Sequence, residues 1–437
     1  MADTRILVRF RGLAAAGVAL AGLSLVLTGC VTNPVTGAQE VGFVSTAQQI
    51  SVGEQQYRPA QQMQGGLYTV DPALTAYVSE VGGRLARYSN INLPYEFVVL
   101  NNSVPNAWAL PGGKLAINRG LLMELRNEAE LAAVLGHEIV HAAARHGAKQ
   151  MERSILLQGA LVVTAVTAEG TPVADSVMQG AQMAANLVNL KYGRDAEREA
   201  DYYGTRMLAQ AGYDPNAAVT LQETFLKLSQ ESGSPAAAGM FSSHPPSAER
   251  VANNRGLVET LRREGFTGGE YRSQEYQSAT SRLRRDAPAY KAHDEARKAM
   301  LEGNLDKALE LVGGAIELQN AEPGFHGLRG EIRLRQKNWA DARINFDRAI
   351  ERNNAYYAYY LGRGMARAAG GERGLAKADL ESSIELLPTT IAYLELGKIA
   401  EAEGNLETAA RYYEAAGQSS GAVGEEARAR LARLYRR

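Results

Sequence analysis

Two histidines four residues apart, with a glutamate between them, are the residues best placed to do chemistry: His137-Glu138-Ile139-Val140-His141. On a helix, residues four apart share a face. Both imidazoles can then close on one zinc ion, while Glu138, one step round, can take a proton from a water beside it. Histidine is scarce, 6 in 437 residues, and a chance H-E-x-x-H in such a chain has a probability on the order of one per cent. The chemistry this arrangement would do is metal-assisted hydrolysis.

Stepping outward, the flanks predict a helix. Asn127 with Glu130 makes a capping box, residues 128–150 lack proline, and Leu131, Val134, Leu135 and Ile139 form an apolar face. On one continuous helix His146, nine residues from His137, points to nearly the opposite side and is set aside as a ligand. A catalytic zinc ordinarily takes three protein ligands and keeps one position open. Glu197 is the best third candidate. It lies in a run, 194–203, without glycine or proline, and shares a helical face with Asp201. Asp201 can accept the second N–H of a ligating histidine and fix its tautomer. Glu199 is two residues from Glu197 and faces away. Arg194 and Arg198 offer a plain salt-bridged face instead, but H-E-x-x-H upstream favours the ligand reading.

Residues 95–100 are rich in strand formers. Asn106 to Gly113 follows with its Pro-Gly-Gly turn, and residues 114–118 form a second strand just before the motif helix. An edge strand beside zinc could pair with an extended substrate by strand addition; an ordinary hairpin edge is the other reading.

Length allows two to three domains. With 47 basic and 48 acidic residues, nothing points to nucleic acid. The N-terminus carries Arg5, Arg9 and Arg11, then an apolar run over 13–27, which is the pattern of a cleaved export signal. Leu27-Thr28-Gly29-Cys30 resembles a bacterial lipobox. That resemblance implies cleavage before Cys30 and lipid on its thiol and new N-terminus; Val31, where no aspartate stands, implies sorting to the periplasmic face of the outer membrane. Cys30 is the only cysteine, so no disulfide can form within the chain. A second apolar run, 155–166, is too short to span a bilayer.

His137-Glu138-x-x-His141 followed by Glu197-x-x-Ala200-Asp201 resembles the gluzincin metallopeptidases of the HtpX and CaaX-prenyl-endopeptidase type. The resemblance covers about residues 31–261. It implies zinc ligation by His137, His141 and Glu197, catalysis by Glu138, and substrate pairing along Asn106-Ala107. Asn33-Pro34-Val35-Thr36-Gly37 matches the secreted, lipoprotein branch of these enzymes. So does Ser242-Ser243-His244-Pro245, where the branch implies that His244 fills the fourth metal position as a plug. Alternatively, His244 steadies the transition-state oxyanion. Arg250 is a second candidate for that electrostatic role, with a surface salt bridge to Glu249 as the alternative. Arg145 and His146 match a frequent family sequence that serves packing or support.

Residues 268–280 are polar and read as a linker. Beyond them the chain repeats. Gly330, Gly364 and Gly397 are each followed twelve residues later by Ala342, Ala376 and Ala409. With Ala308 the alanines recur every 34, 34 and 33 residues, the tetratricopeptide period. Phe346, Leu380 and Tyr413 sit four after those alanines. Pro388 ends the third repeat, and 425–437 reads as a capping helix. Tyr356, Tyr357, Tyr359 and Tyr360 divide between packing and a groove.

The expectation is a mainly α protein. It comprises a signal peptide (1–29), a gluzincin-like α+β zinc protease domain with a small sheet (30–265), a linker (266–285) and an α-solenoid of tetratricopeptide repeats (286–437). The expected function is a zinc endopeptidase, with one ion, lipid-anchored in the periplasm at the inner face of the outer membrane. By the family resemblance its partners are unfolded or misassembled outer-membrane proteins and, through the repeat groove, their assembly machinery. The alternative is a repeat-based chaperone or scaffold with a latent protease domain.

Overall fold

The computed structural model describes residues 29–158, 182–183, 185–230 and 239–436. The signal-like residues 1–28 and most of the apolar run 155–166 lie outside them. Among the described residues no helix is long and apolar enough to cross a membrane.

Three strands form the sheet that carries the motif helix: β3 (Glu96–Leu100), β4 (Ala107–Leu110) and β5 (Lys114–Asn118), in the order β3-β5-β4. Strand β5 runs parallel to β3 and antiparallel to β4, with Ala107 opposite Ile117. The stretch expected to lead into a loop thus adds a third strand. The turn from β4 to β5 needs Gly112 at φ 80°, where a Cβ would also lie 2.5 Å from the Ile50 backbone. A separate hairpin, β1 (Cys30–Thr32) with β2 (Gln39–Val41), precedes helix α1 (Thr46–Met63). Helix α2 (Pro72–Ala86) packs on β3, and α3 (Arg119–Glu124) follows β5 directly.

Helix α4 (Glu128–Ala143) carries the motif and is buried along its whole length. Asn127 caps it, accepting from the Glu130 N–H at 2.9 Å. The reciprocal half of the capping box is missing, because Glu130 turns to the backbone N–H and guanidinium of Arg126 and to the Thr220 hydroxyl. The helix also stops short of the expected residue 150. Arg145 takes φ 61°, and a new helix, α5 (His146–Gln158), begins at the next residue. That break resets the angular phase, so His146 does not lie opposite His137.

Helix α6 (Arg194–Gln210) crosses α4 where two glycines meet. A Cβ on Gly204 would lie 2.9 Å from the His137 nitrogen, and one on Gly136 would lie 3.1 Å from the Gly204 oxygen. The bare backbones bring Glu197 and Asp201 over the motif. Helices α7 (Asn216–Gln230), α8 (Met240–Ser243) and α9 (Ala248–Arg263) close the domain.

At the N-terminal end of α4, Glu128 is buried and accepts from the hydroxyls of Tyr77 (2.7 Å) and Tyr213 (2.6 Å) and from Arg84 (2.9 Å). Burial alone would raise its pKa, but these donors and Arg272 together lower it. The folded carboxyl therefore holds its proton more weakly than the unfolded one. Its stabilisation is full above the unfolded value of about 4.3 and fades as pH falls through the lower folded value. Glu128→Gln is expected to cost about 3–5 kcal/mol at neutral pH, with the gap to wild type narrowing in acid. Urea denaturation of both proteins at pH 7 and pH 4 measures this; equal midpoints at pH 7 would contradict it.

The expected linker 266–285 is not one. It contains α10 (Ser273–Ala279) and α11 (Ser281–Arg285), with Tyr276 and Leu283 fully buried and the Tyr276 hydroxyl bonded to the Leu122 carbonyl at 2.6 Å. One apolar core runs from Leu74 and Val134 through Tyr276 to Ala296 and Phe325. The polar surface of this segment hides two anchoring side chains that show no periodic stripe.

Four helix pairs follow: α12 (Ala287–Leu301) with α13 (Leu305–Leu318), α14 (Pro323–Arg335) with α15 (Trp339–Arg352), α16 (Tyr357–Ala369) with α17 (Arg373–Leu386), and α18 (Thr390–Ala402) with α19 (Leu406–Gly417). The repeating alanines 308, 342, 376 and 409 are all fully buried. Cβ atoms on Gly330, Gly364 and Gly397 would meet Phe346, Leu380 and Tyr413, which explains the small-large pattern. The cap is α20 (Ala422–Leu434), three residues earlier than expected at each end, and it buries Ala427 and Leu434 against the last repeat.

The repeats clasp the first domain. The Gln62 amide donates to the Ala355 carbonyl (2.7 Å) and accepts from the Tyr357 N–H (2.8 Å). Asn101 donates to Glu322, which also accepts from the Tyr290 hydroxyl. Tyr356 packs on Gly66 and Tyr359 is buried against Gly327, so these two tyrosines pack. Tyr357 helps line a cavity of about 550 Å³ between the repeats and the first domain.

Candidate metal centre

His137 and His141 project from adjacent turns of α4 with their Nε2 atoms 3.0 Å apart. Helix α6 brings Glu197, whose Oε1 lies 3.4 Å from His141 Nε2. The loop after α8 brings His244, whose Nδ1 lies 3.2 Å from His137 Nε2 and 2.9 Å from Glu197 Oε1. One ligand atom from each of the four falls within 4.8 Å of all the others, so the cluster could hold one metal ion. Tetrahedral ligands about 2.0–2.1 Å from an ion sit about 3.3 Å apart, which these separations approach. Glu138 adds a further sign of fit. It is 1 % exposed, and neither carboxylate oxygen has a hydrogen-bond partner among the described residues. Its nearest ionic neighbour is His244 Nε2, at 3.6 Å. A buried carboxylate so bare costs stability unless something else meets it.

The surroundings tune these groups. Burial drives His141 well below the ordinary histidine pKa, despite the opposing pull of Glu197, which favours the neutral form that metal ligation would need. For His244 burial would also lower the pKa, but the Glu197 and Glu138 carboxylates outweigh it and raise the value. Burial would raise Glu197, yet the charges of His244 and His137 and bonds from His141 and His244 hold it well below the usual carboxylate range. His137 Nδ1 lies 3.1 Å from Asp201 Oδ1, the orientation expected of a carboxylate fixing a ligand's tautomer.

Arg250 is not on the surface and does not pair with Glu249. It is buried, its Nε and Nη2 each donate to Asp201 at 2.7 Å, and its Nη1 lies 2.9 Å from Glu197 Oε2. A third contact runs from Nη1 to the Pro245 carbonyl at 3.3 Å. The guanidinium thus contacts two carboxylates and the His244 loop. Glu249 pairs instead with Arg198, on the exposed side.

The Peptidase family M48 profile matches residues 72–258, a span that includes every residue of the cluster. Metalloprotease YcaL of Escherichia coli K12 is 31% identical over 240 residues, which cover 51% of this chain and 92% of that protein. This chain belongs to peptidase family M48. It is also similar to the beta-barrel assembly-enhancing protease of E. coli K12, 31% identical over 241 residues, 53% of this chain and 48% of the relative. The mitochondrial metalloendopeptidase OMA1 of Schizosaccharomyces pombe is 36% identical over 182 residues, 40% of this chain and 51% of the relative. The chain spans about half the length of these last two relatives.

Within this M48 site, Asn106 and Ala107 stand at the start of the edge strand β4, which packs against α4. Asn118 N–H donates to the Asn106 carbonyl, so Asn106 is tied to the sheet and the alternation of an antiparallel ladder turns the Ala107 backbone away from β5, to the outer edge, where Ala107 is buried. Cys30 is exposed, opposite Val41 in the hairpin. Three contributors had no clear signature in the chain. Tyr192 stacks on His141 with centroids 3.9 Å apart. His146 meets His141 from behind, and Arg145 ties Val44 and Glu152 together. Only the family-like Arg145-His146 pair hinted at the last two.

Proposed function

We propose that this M48 chain is a zinc endopeptidase of the bacterial envelope, acting on misfolded or stalled outer-membrane proteins. The observation that carries the catalytic reading is the bare, buried carboxylate of Glu138 facing the cluster of His137, His141 and Glu197. A zinc ion in that cage supplies Lewis acidity, which acidifies water and polarises a peptide carbonyl. Glu138 takes the proton of the attacking water and returns it to the leaving amine. The outer edge of β4 at Ala107, buried in this closed form, aligns an extended substrate once uncovered, with backbone pairing in place of side-chain selection.

Support for the substrate class is the likeness to the beta-barrel assembly-enhancing protease, together with the lipobox-like Leu27-Thr28-Gly29-Cys30. Lipid on Cys30 holds the enzyme at the periplasmic face of the outer membrane. The cavity between repeats and protease domain, lined by Tyr357, Phe325, Arg297 and Glu331, receives a segment of the client or of its assembly machinery.

His244 is read as a plug. The cluster is closed, with His137, Glu138, His141, Glu197 and His244 all at most 6 % exposed. Helix α8, which carries the plug loop, also leans on the substrate edge, since Met240 N–H donates to the Pro105 carbonyl at 3.1 Å. That closure equally favours a chaperone with a latent protease domain, and metal removal separates the two. Purified full-length protein is expected to contain one zinc per chain. Chelation should abolish cleavage of an unfolded β-barrel protein and added zinc restore it, with far-ultraviolet circular dichroism unchanged. Client binding without any zinc-dependent cleavage would favour the chaperone.

A further inference from the structure

His146 is 4 % exposed, has no part in the chemistry above and stands beside a proposed ligand. Its Nδ1 lies 2.9 Å from His141 Nδ1. His141 directs Nε2 into the cluster, so its Nδ1 carries the hydrogen, and His146 Nδ1 must accept it. The hydrogen of His146 is then on Nε2, which faces Glu199 Oε1 at 3.4 Å, near but without a formed hydrogen bond. The same oxygen accepts from the Asn33 side chain at 3.0 Å. Asn33 is fully buried, and its Oδ1 accepts from the backbone of Val35 and Thr36. Its amide thereby fixes the turn of the β1–β2 hairpin against α6. Two further ties hold that hairpin and the residues after it to α5: Lys149 bonds Glu40 at 2.8 Å, and Glu152 accepts from the N–H groups of Phe43 and Val44.

We infer that His146, backed by Glu199 and Asn33, is the positioning unit of the ligand His141, and that the N-terminal hairpin is thereby built into the metal site. His137 has a carboxylate, Asp201, behind it. His141 has an imidazole behind it instead, and that imidazole is steadied from a segment over a hundred residues away. The left-handed residue Arg145 makes this possible by starting a new helix with His146 turned back toward His141. The Asn33 end of the unit lies three residues from Cys30, so the strand that would bear the lipid is continuous with the support of a ligand. This rests on the proposed zinc ligation.

The test is zinc affinity of the full-length protein by chelator competition, with the visible spectrum of the cobalt-substituted form as a second readout. His146→Leu keeps bulk but removes the acceptor. It is expected to weaken zinc binding about 10- to 100-fold and to shift the cobalt bands. His146→Asn places an oxygen where Nδ1 stood and should restore affinity to within about threefold of wild type. Asn33→Ala should weaken binding several-fold. Wild-type affinity and spectrum in His146→Leu would overturn the inference, as would equal loss in the Leu and Asn variants. Unchanged affinity in Asn33→Ala would remove the hairpin from the unit. Should His146→Leu not fold, the Asn and Asn33→Ala variants decide. Failure of wild type itself to bind zinc would overturn the underlying metal reading instead.

Discussion

Glu138→Gln is expected to lower turnover of an unfolded β-barrel client by about 100- to 10,000-fold, the range of a general base. Zinc content and fold should stay as in wild type. The expectation is sharp because Glu138 makes no hydrogen bond among the described residues, so the amide removes no structural contact. Glutamine matches its shape, cannot take a proton, and meets the same neighbours in α4. Loss of rate with metal retained separates the base from the ligands, since replacing His137, His141 or Glu197 should lose the ion as well. Single-turnover cleavage assays beside metal analysis measure both. Undiminished turnover would end the assignment of Glu138 and, with it, the protease mechanism.

The second large effect is expected at His244, with opposite sign. If its Nδ1 completes the cage and its Nε2 faces Glu138, the imidazole stands where an attacking water must come. His244→Ala should then raise basal cleavage at least about tenfold, because no competing ligand has to leave before water enters. An oxyanion-stabilising role predicts the reverse, a fall of about 100-fold in kcat. Steady-state cleavage of one client by wild type and variant distinguishes these by sign alone. The bond from Met240, at the start of α8, to Pro105, beside Asn106 and Ala107, adds a corollary of the proposed function: a substrate strand entering at the β4 edge would meet α8 and its plug loop first.

How legible this was depended on the range of each interaction. His137, His141, Glu197 and Asp201 were legible because each pair obeys the four-residue repeat of a helix, and their two helices have ordinary periodic faces. The repeats were legible because Ala308, Ala342, Ala376 and Ala409 return at a fixed period. His146 was misplaced because one non-glycine residue, Arg145, adopts a positive φ that nothing in its type announces. Arg250 was legible as a candidate for the site, but its partners were not; only the tertiary approach of α9 to α6 shows that it pairs with Asp201 and Glu197. Tyr276 sits in a polar stretch where one aromatic makes no stripe, so its anchoring contact with Leu122 was hidden. Asn33 and Glu199 are 166 positions apart, and no local rule connects them.

The glycine crossing of α4 and α6 bears on when the site comes into being. Gly136 and Gly204 let two main chains touch, and this contact registers His137 against Asp201. The cage is therefore cast by the same helix docking that buries Leu135 and Leu208. Small zinc modules fold around their metal and consume binding energy in ordering themselves. Here the glycine contact supplies an ordering element of its own, so a side chain at Gly204 is expected to disturb the spacing of His137 and Asp201 with every ligand residue still in place.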